Sequence, residues 1–159
     1  MGEVALRLDD PSILDEPTDV TEIVKYSNKI KDIGHGFNKM MAPLYLRDFI
    51  IAYDITSTAL AKATQKDMEA DNQLQVAESI AYLENAKAYL DSKDIKDTAE
   101  ARKRYVPLDA AVAVALDRKA RTTAMVSLFR TKLQEFRFAI ESVKKIAYSD
   151  QYLSPDEGM

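Results

Sequence analysis

Residues 126–147 read VSLFRTKLQEFRFAIESVKKIA, and this stretch decides the fold because its apolar residues recur every three or four positions. That spacing places them on one face of an α-helix. It is also the repeat of helices that pack at shallow angles in bundles and coiled coils. We therefore predict a core seam that is buried partly against a second copy of the chain. The seam consists of Val126, Phe129, Leu133, Phe136, Ile140 and Val143, with Ala147 after them.

Helix-breaking residues are scarce in the rest of the chain. Glycine occurs only at positions 2, 34, 36 and 158, and proline only at 11, 17, 43, 107 and 155. The stretches 44–106 and 108–154 therefore contain no strong breaker, which favours long helices. We predict an all-α protein, an elongated antiparallel helical bundle with coiled-coil-like long helices.

Two long helices follow from this pattern. The last spans about 110–148, with Asp109 as its N-cap. The earlier one spans 44–92 with Pro43 in its first turn; the alternative is two helices with a break near 70–72. Its expected apolar positions are Leu46, Phe49, Ile50, Tyr53 and Leu60, and then Val76, Ile80, Leu83 and Leu90.

The chain has 159 residues, of which 47% are hydrophobic, so one domain of ordinary size is expected. Residues 1–18 form an acidic arm with two prolines, residues 19–148 a single helical domain, and residues 149–159 an acidic tail. The first helix begins near Thr18 or Asp19, and Asp19 with Glu22 has the spacing of a capping box.

Several chemistries are excluded by composition. Cysteine is absent, which removes disulfides and thiolate zinc sites, and the only histidine, His35, lies between two glycines. Asp67, Glu69 and Asp71 lack the glycine turn and distant Glu of a calcium loop and indicate a solvated helix face. No phosphate-binding loop is present. We predict a protein that is not an enzyme, with no metal and no cofactor.

Membrane association is not expected either. The N-terminus lacks the basic and apolar regions of a secretory signal, and apolar runs are far shorter than the ~20 residues of a membrane-spanning helix. The sequence predicts a cytoplasmic protein, in the host cytoplasm if the protein is viral.

Positive charge is concentrated near the end of the chain, although the net charge is −4. Residues 98–148 carry eleven Lys and Arg against five Asp and Glu. At 100° per residue, four cations of the last helix share one stripe beside the apolar seam. A second cluster lies beside Tyr105. The candidate nucleic-acid-binding residues are Arg102, Lys103, Arg104, Lys119, Arg130, Arg137 and Lys144.

Two interpretations of these cations remain open. They neutralise a phosphate backbone, with Tyr105 and Tyr148 stacking on bases. Alternatively, they pair with carboxylates of a neighbouring helix, such as Glu78, Glu84 and Asp91.

The stretch Phe136-Arg137-Phe138-Ala139-Ile140 resembles the C-terminal part of the UvsY-type recombination mediators of tailed phages. The similarity runs from about Leu108 to Ile146. It implies a ring-forming homo-oligomer without catalytic residues that binds single-stranded DNA. Such a protein helps to load a recombinase onto strands covered by single-strand binding protein. The alternative function is a structural or adaptor protein, such as a phage virion component, scaffold or host-factor inhibitor, which acts through a protein partner.

Overall fold

The computed structural model describes residues 20–34 and 37–149, and all regular structure within them is helical. The all-α prediction is therefore confirmed. The predicted acidic arm, Asp19, His35 and the tail from residue 150 onward lie outside the described residues. The helices are α1 (Val20–Lys29), α2 (Ala42–Ile80), α3 (Ala86–Ser92), α4 (Ala99–Tyr105) and α5 (Ala110–Tyr148). Within the described residues, no helix is long and apolar enough to cross a membrane.

The helical path is unbroken from Lys39 to Ser92. A 3₁₀ turn (Lys39–Met41) leads into α2, and a π-helical turn (Ala81–Asn85) joins α2 to α3. Residues 70–72 are helical, so the alternative of two helices separated by a break at this point is wrong. Pro43 is tolerated because the first turn of a helix has no intrahelical partner for a backbone N–H.

The predicted N-cap of α5 is confirmed at Asp109. Its Oδ1 accepts hydrogen bonds from the backbone N–H groups of Ala111 (2.9 Å) and Val112 (3.3 Å). Its Oδ2 accepts from Asn85 Nδ2 (3.0 Å) and the Tyr105 hydroxyl (2.9 Å). One buried carboxylate thus begins α5 and also ties it to the π turn and to α4.

The described residues form two compact units, each containing part of α2 and part of α5. The unit that we call the α1 unit contains residues 20–34, 37–61 and 127–149. The other, the α3–α4 unit, contains residues 62–126.

The core of the α1 unit is aromatic. Phe49, Phe129 and Phe136 are fully buried, and the rings of Phe49 and Phe136 lie 6.4 Å apart between centroids. Val143 is also buried, whereas Leu133 and Ile140 are half-buried. The predicted seam therefore does face inward, but this chain's own side chains bury its two phenylalanines.

The buried face of α2 consists mainly of small residues, and here the sequence prediction is wrong. Among the expected apolar positions that α2 contributes to the α1 unit, only Phe49 is buried, and Ile50 and Tyr53 are exposed. Alanine and threonine at spacings of three and four replace them, because small side chains allow helix backbones to approach closely. The buried small residues of α2 are Ala42, Ala52, Thr56, Ala59, Ala63 and Ala70.

Within the α3–α4 unit, α2 and α5 are antiparallel. Asp67 of α2 bonds Thr122 of α5, and Asn85 of the following π turn bonds Asp109, just before α5. Val112, Leu90 and a set of alanines fill the core. Of the apolar positions expected here for the 44–92 helix, only Leu90 is buried; Val76, Ile80 and Leu83 are exposed, which corrects the prediction.

Candidate nucleic-acid interface

Three of the predicted cations lie open on α5 in the α1 unit. Arg130, Arg137 and Lys144 are exposed, and their seven-residue spacing keeps them within about 40° of one another around the helix. Lys145 is exposed beside Lys144. A positively charged strip therefore runs along the solvent side of this half of α5.

Few carboxylates compete for this strip. Within the described residues, no carboxylate oxygen lies within 4.0 Å of Arg130, Lys144 or Lys145. Arg137 Nε lies 3.7 Å from Glu141 Oε1 on the same helix, and both side chains are more than half exposed. Exposed pairs of this kind contribute little to stability, so an incoming anion easily displaces Glu141.

Lys119, the fourth predicted cation of the stripe, is committed to another helix. Its Nζ lies 3.0 Å from Asp67 Oδ2 and 3.8 Å from Asp71 Oδ1, both on α2. This is the ion-pair interpretation that the sequence left open, although Asp67 and Asp71 take the place of Glu78, Glu84 and Asp91. Lys119 therefore does not belong to the open strip.

Asp67 is a structural residue of the α3–α4 unit. Its Oδ1 accepts hydrogen bonds from the hydroxyls of Thr122 and Thr123, each at 2.8 Å. Partial burial raises the pKa of Asp67, but the hydrogen bonds from Thr123, Thr122 and Lys119 outweigh it, so the pKa is lowered overall. The carboxylate thus stays ionised and links α2 to α5 more than fifty residues away.

The cluster Arg102-Lys103-Arg104 is divided between structural and open residues. Arg102 donates from Nε and Nη2 to the two oxygens of Asp97, each at 2.7 Å, and from Nη1 to the Tyr82 carbonyl. Arg104 pairs with Glu100 at 2.6 Å on the surface of α4. Lys103 is exposed, with no described carboxylate within 4.0 Å.

Two aromatic rings accompany the open strip of α5. Tyr148 is 50% exposed, as its predicted stacking role requires, and Phe138 is 57% exposed. Sequence reasoning missed Phe138, although two residues correspond to about 200° around a helix and so place it away from Phe136 and the seam. Arg130, Arg137, Lys144 and Lys145, with Phe138 and Tyr148, form what we call the cationic face.

Tyr105, the other predicted stacking residue, is half-buried and contacts side chains of its own unit. Its ring lies 4.8 Å from that of Tyr89 between centroids. Its hydroxyl donates to Asp109, and this hydrogen bond raises the pKa of Tyr105. Tyr105 therefore presents no free ring face comparable to Phe138.

Positive charge is distributed unequally between the two units. The described residues of the α1 unit carry ten Lys and Arg against six Asp and Glu, a net charge of +4. The α3–α4 unit carries eleven of each and is neutral. The positive charge of residues 98–126 is thus balanced by carboxylates of the α3–α4 unit. The positive charge of residues 127–148 is not balanced among the described residues of the α1 unit.

The other candidate sites in the sequence are His35 and the carboxylates at positions 67–71. His35 lies outside the described residues, and Asp67 serves helix packing. In the described part of the chain, no group of three or more His, Cys, Asp or Glu side chains is placed to hold a metal ion.

Comparison with protein-family models, with curated proteins and with solved structures gives no match to this chain.

Proposed function

We propose that this chain is a non-enzymatic protein that binds single-stranded DNA through the cationic face of α5. One observation carries the proposal: four exposed cations without a cross-helix carboxylate partner share the solvent side of one helix with two exposed aromatic rings. Cations neutralise phosphates, and exposed rings stack on unpaired bases.

The aromatic rings favour single strands over duplexes. In a duplex the faces of the bases are already stacked on one another, so Phe138 and Tyr148 gain nothing from it. On a single strand, stacking on one aromatic side chain contributes about 1–3 kcal/mol per base. A mediator role in recombination, as the resemblance implies, is consistent with binding of this kind in the cytoplasm, the host's if the protein is viral.

Homo-oligomerisation is part of this proposal. Val76 and Ile80 of α2 and Ala111 of α5 line an exposed groove of about 350 Å³ in the α3–α4 unit. Every side chain that lines this groove is uncharged. A two-fold contact would set this patch against the same patch of a second copy, so that no charge would be buried in it. An oligomer multiplies the number of cationic faces that engage one strand.

The test is fluorescence anisotropy with a labelled poly-dT strand at ~20 mM salt. The double variant Arg137→Glu with Lys144→Glu is expected to weaken binding by about tenfold or more, because it replaces two phosphate-binding cations with repelling carboxylates. The matched control, Lys93→Glu with Arg118→Glu, makes the same charge change at exposed cations of the neutral α3–α4 unit. It is expected to have a much smaller effect.

Equal effects of the two double variants would contradict a specific face and indicate only non-specific charge attraction. Absence of binding by the unaltered protein would reject DNA binding. The second candidate function, a structural or adaptor protein, would then take its place. It is favoured by the exposed Val76, Ile80 and Leu83, which on that interpretation contact a different protein.

A further inference from the structure

A second concavity, of about 440 Å³, lies in the α3–α4 unit and contains no residue of the cationic face. Tyr89 and Leu90 of α3 and Ala101 and Tyr105 of α4 form its apolar walls. Ile95 and Leu108 line it too, and they are 46% and 65% exposed. We call it the α3–α4 pocket.

Hydrogen bonds fix the walls of this pocket in place. The turn after α3 is closed by Ile95 N–H donating to the Leu90 carbonyl at 3.0 Å. Thr98 caps α4 by accepting from the Ala101 N–H at 3.1 Å. Arg102 clamps α4 to that turn through Asp97. The pocket is therefore formed before any ligand arrives, and little ordering opposes binding.

The charged side chains around the pocket have a positive excess. Lys96 and Arg104 line it with one acid, Glu100. Among the described residues no carboxylate oxygen lies within 4.0 Å of Lys96. Arg104 is held only by Glu100, one turn away on the same helix, and both side chains are at least 75% exposed. Neither cation is thus tied strongly to the protein.

We propose that the α3–α4 pocket binds a segment of a partner protein in which large apolar side chains stand next to carboxylates. The apolar side chains occupy the space between Leu90, Ile95 and Leu108, and the carboxylates meet Lys96 and Arg104. Apolar walls with a few placed polar groups are the usual composition of a binding pocket, and a volume of several hundred Å³ is typical. The inference does not rest on DNA binding, since the cationic face contains none of these residues.

The experiment uses the ¹⁵N-labelled full chain and a synthetic peptide, acetyl-Asp-Glu-Leu-Phe-Asp-amide. We expect weak binding, with a dissociation constant in the range of about 0.1–1 mM, which NMR titration measures well. We expect saturable shifts of the Ile95, Lys96, Ala101 and Tyr105 amides. A peptide with Asn and Gln in place of the acids is expected to bind at least about fivefold more weakly.

Variants separate recognition from general effects. Lys96→Glu with Arg104→Glu is expected to weaken peptide binding by at least about fivefold. Lys103→Glu with Lys93→Glu, a matched pair of exposed cations that do not line the pocket, is expected to leave binding unchanged. Circular dichroism checks that each variant keeps the helical content of the parent.

Three results would overturn the proposal: no saturable shift up to ~5 mM peptide, equal affinity for the neutral peptide, or equal weakening by both double variants. The Arg137→Glu, Lys144→Glu variant keeps the pocket intact. Its peptide affinity therefore distinguishes failure of this inference from failure of the proposed DNA binding.

Discussion

Phe136 and Phe138 are two positions apart on α5 and have opposite environments. Phe136 is fully buried against Phe49, whereas Phe138 is 57% exposed. Both are large, apolar and identical in chemistry, so only their direction around the helix separates their roles. The first supports the fold, and the second is available to a ligand.

This pair gives a matched test at the residue scale. Phe136→Ala is expected to reduce the free energy of unfolding by about 3–5 kcal/mol, because it leaves a cavity in the core. Phe138→Ala is expected to change it by no more than about 0.5 kcal/mol and to weaken poly-dT binding. Urea denaturation and anisotropy measure the two effects, and a large loss of stability in Phe138→Ala would contradict its assignment to the surface.

Asp109 gives a second test at this scale. Hydrogen bonds from Asn85, Tyr105 and the α5 N-terminus lower its pKa in the folded protein. Because this pKa is lowered, the ionised Asp109 carboxylate contributes its full stabilisation of the fold at pH values above the pKa of an unfolded aspartate, about 3.9. It is lost as the pH falls through the lower, folded value.

Asp109→Ala is therefore expected to lower the Tm by several degrees at pH 7 and by less as the pH falls below 4. Thermal melts followed by circular dichroism from pH 7 to pH 2 measure this difference. Asp91→Ala, at an exposed position of α3, is the control and should change the Tm little. A constant difference between the parent and Asp109→Ala across the pH range would be evidence against the cap network.

At the scale of elements, α2 shows how a helix of mixed composition selects its buried face. Its larger apolar residues Ile50, Tyr53, Val76 and Ile80 are exposed, and alanines take the buried positions. A hydrophobicity pattern gives more weight to larger side chains. It therefore favours the face of α2 that is exposed in the single chain. Small side chains allow helix backbones to approach closely, and the buried positions of α2 hold mainly alanine and threonine in place of its Ile and Tyr residues.

The small-residue face is tested by enlarging one alanine at a time. Ala59→Leu is expected to destabilise the protein by about 1–3 kcal/mol through overpacking, since Ala59 is only 1% exposed. Ala61→Leu, two positions away and exposed, should remain within about 0.5 kcal/mol of the parent. Urea denaturation measures the free energy of unfolding of both variants. Equal values would contradict the assignment of Ala59 to the buried face of α2.

At the scale of the whole molecule, the two units differ in charge. The described residues of the α1 unit carry a net charge of +4, whereas those of the α3–α4 unit are neutral. The chain as a whole is acidic, so its net charge gives no sign of a polyanion-binding surface. Affinity for DNA is therefore expected to depend on a local set of cations.

The salt dependence of DNA binding measures how many cations act. If Arg130, Arg137, Lys144 and Lys145 of one chain each neutralise a phosphate, log K is expected to fall by about 3 per tenfold increase in salt. Arg137→Glu with Lys144→Glu should reduce this slope markedly. A slope that is unchanged in the double variant would place the phosphates elsewhere on the molecule.

Self-association is also tested at this scale. Light scattering is expected to show a mass above that of one chain at micromolar concentration. Val76→Asp with Ile80→Asp should shift it toward a single chain, because carboxylates are costly to bury in an uncharged interface. Met68→Asp, at an exposed residue of α2 outside the groove, is the control. A single-chain mass for the parent protein at high micromolar concentration would contradict the oligomer.

The sequence by itself determined the features that depend on neighbours within a few residues. The all-α class, the span of α5, the Asp109 cap and the inward seam of Val126, Phe129 and Phe136 follow from spacing and local capping. A helix is built from bonds between residues four apart, so its limits are written in a short window of sequence.

Only the tertiary structure decided which side chains meet across helices. Lys119 bonds Asp67, 52 positions away, and Arg130 faces solvent, yet both occupy the same stripe of the same helix. The alanine face of α2 and the exposure of Phe138 are decided in the same way. A sequence pattern fixes the direction of a side chain around its own helix, but the partner in that direction depends on which helix packs there and at what register.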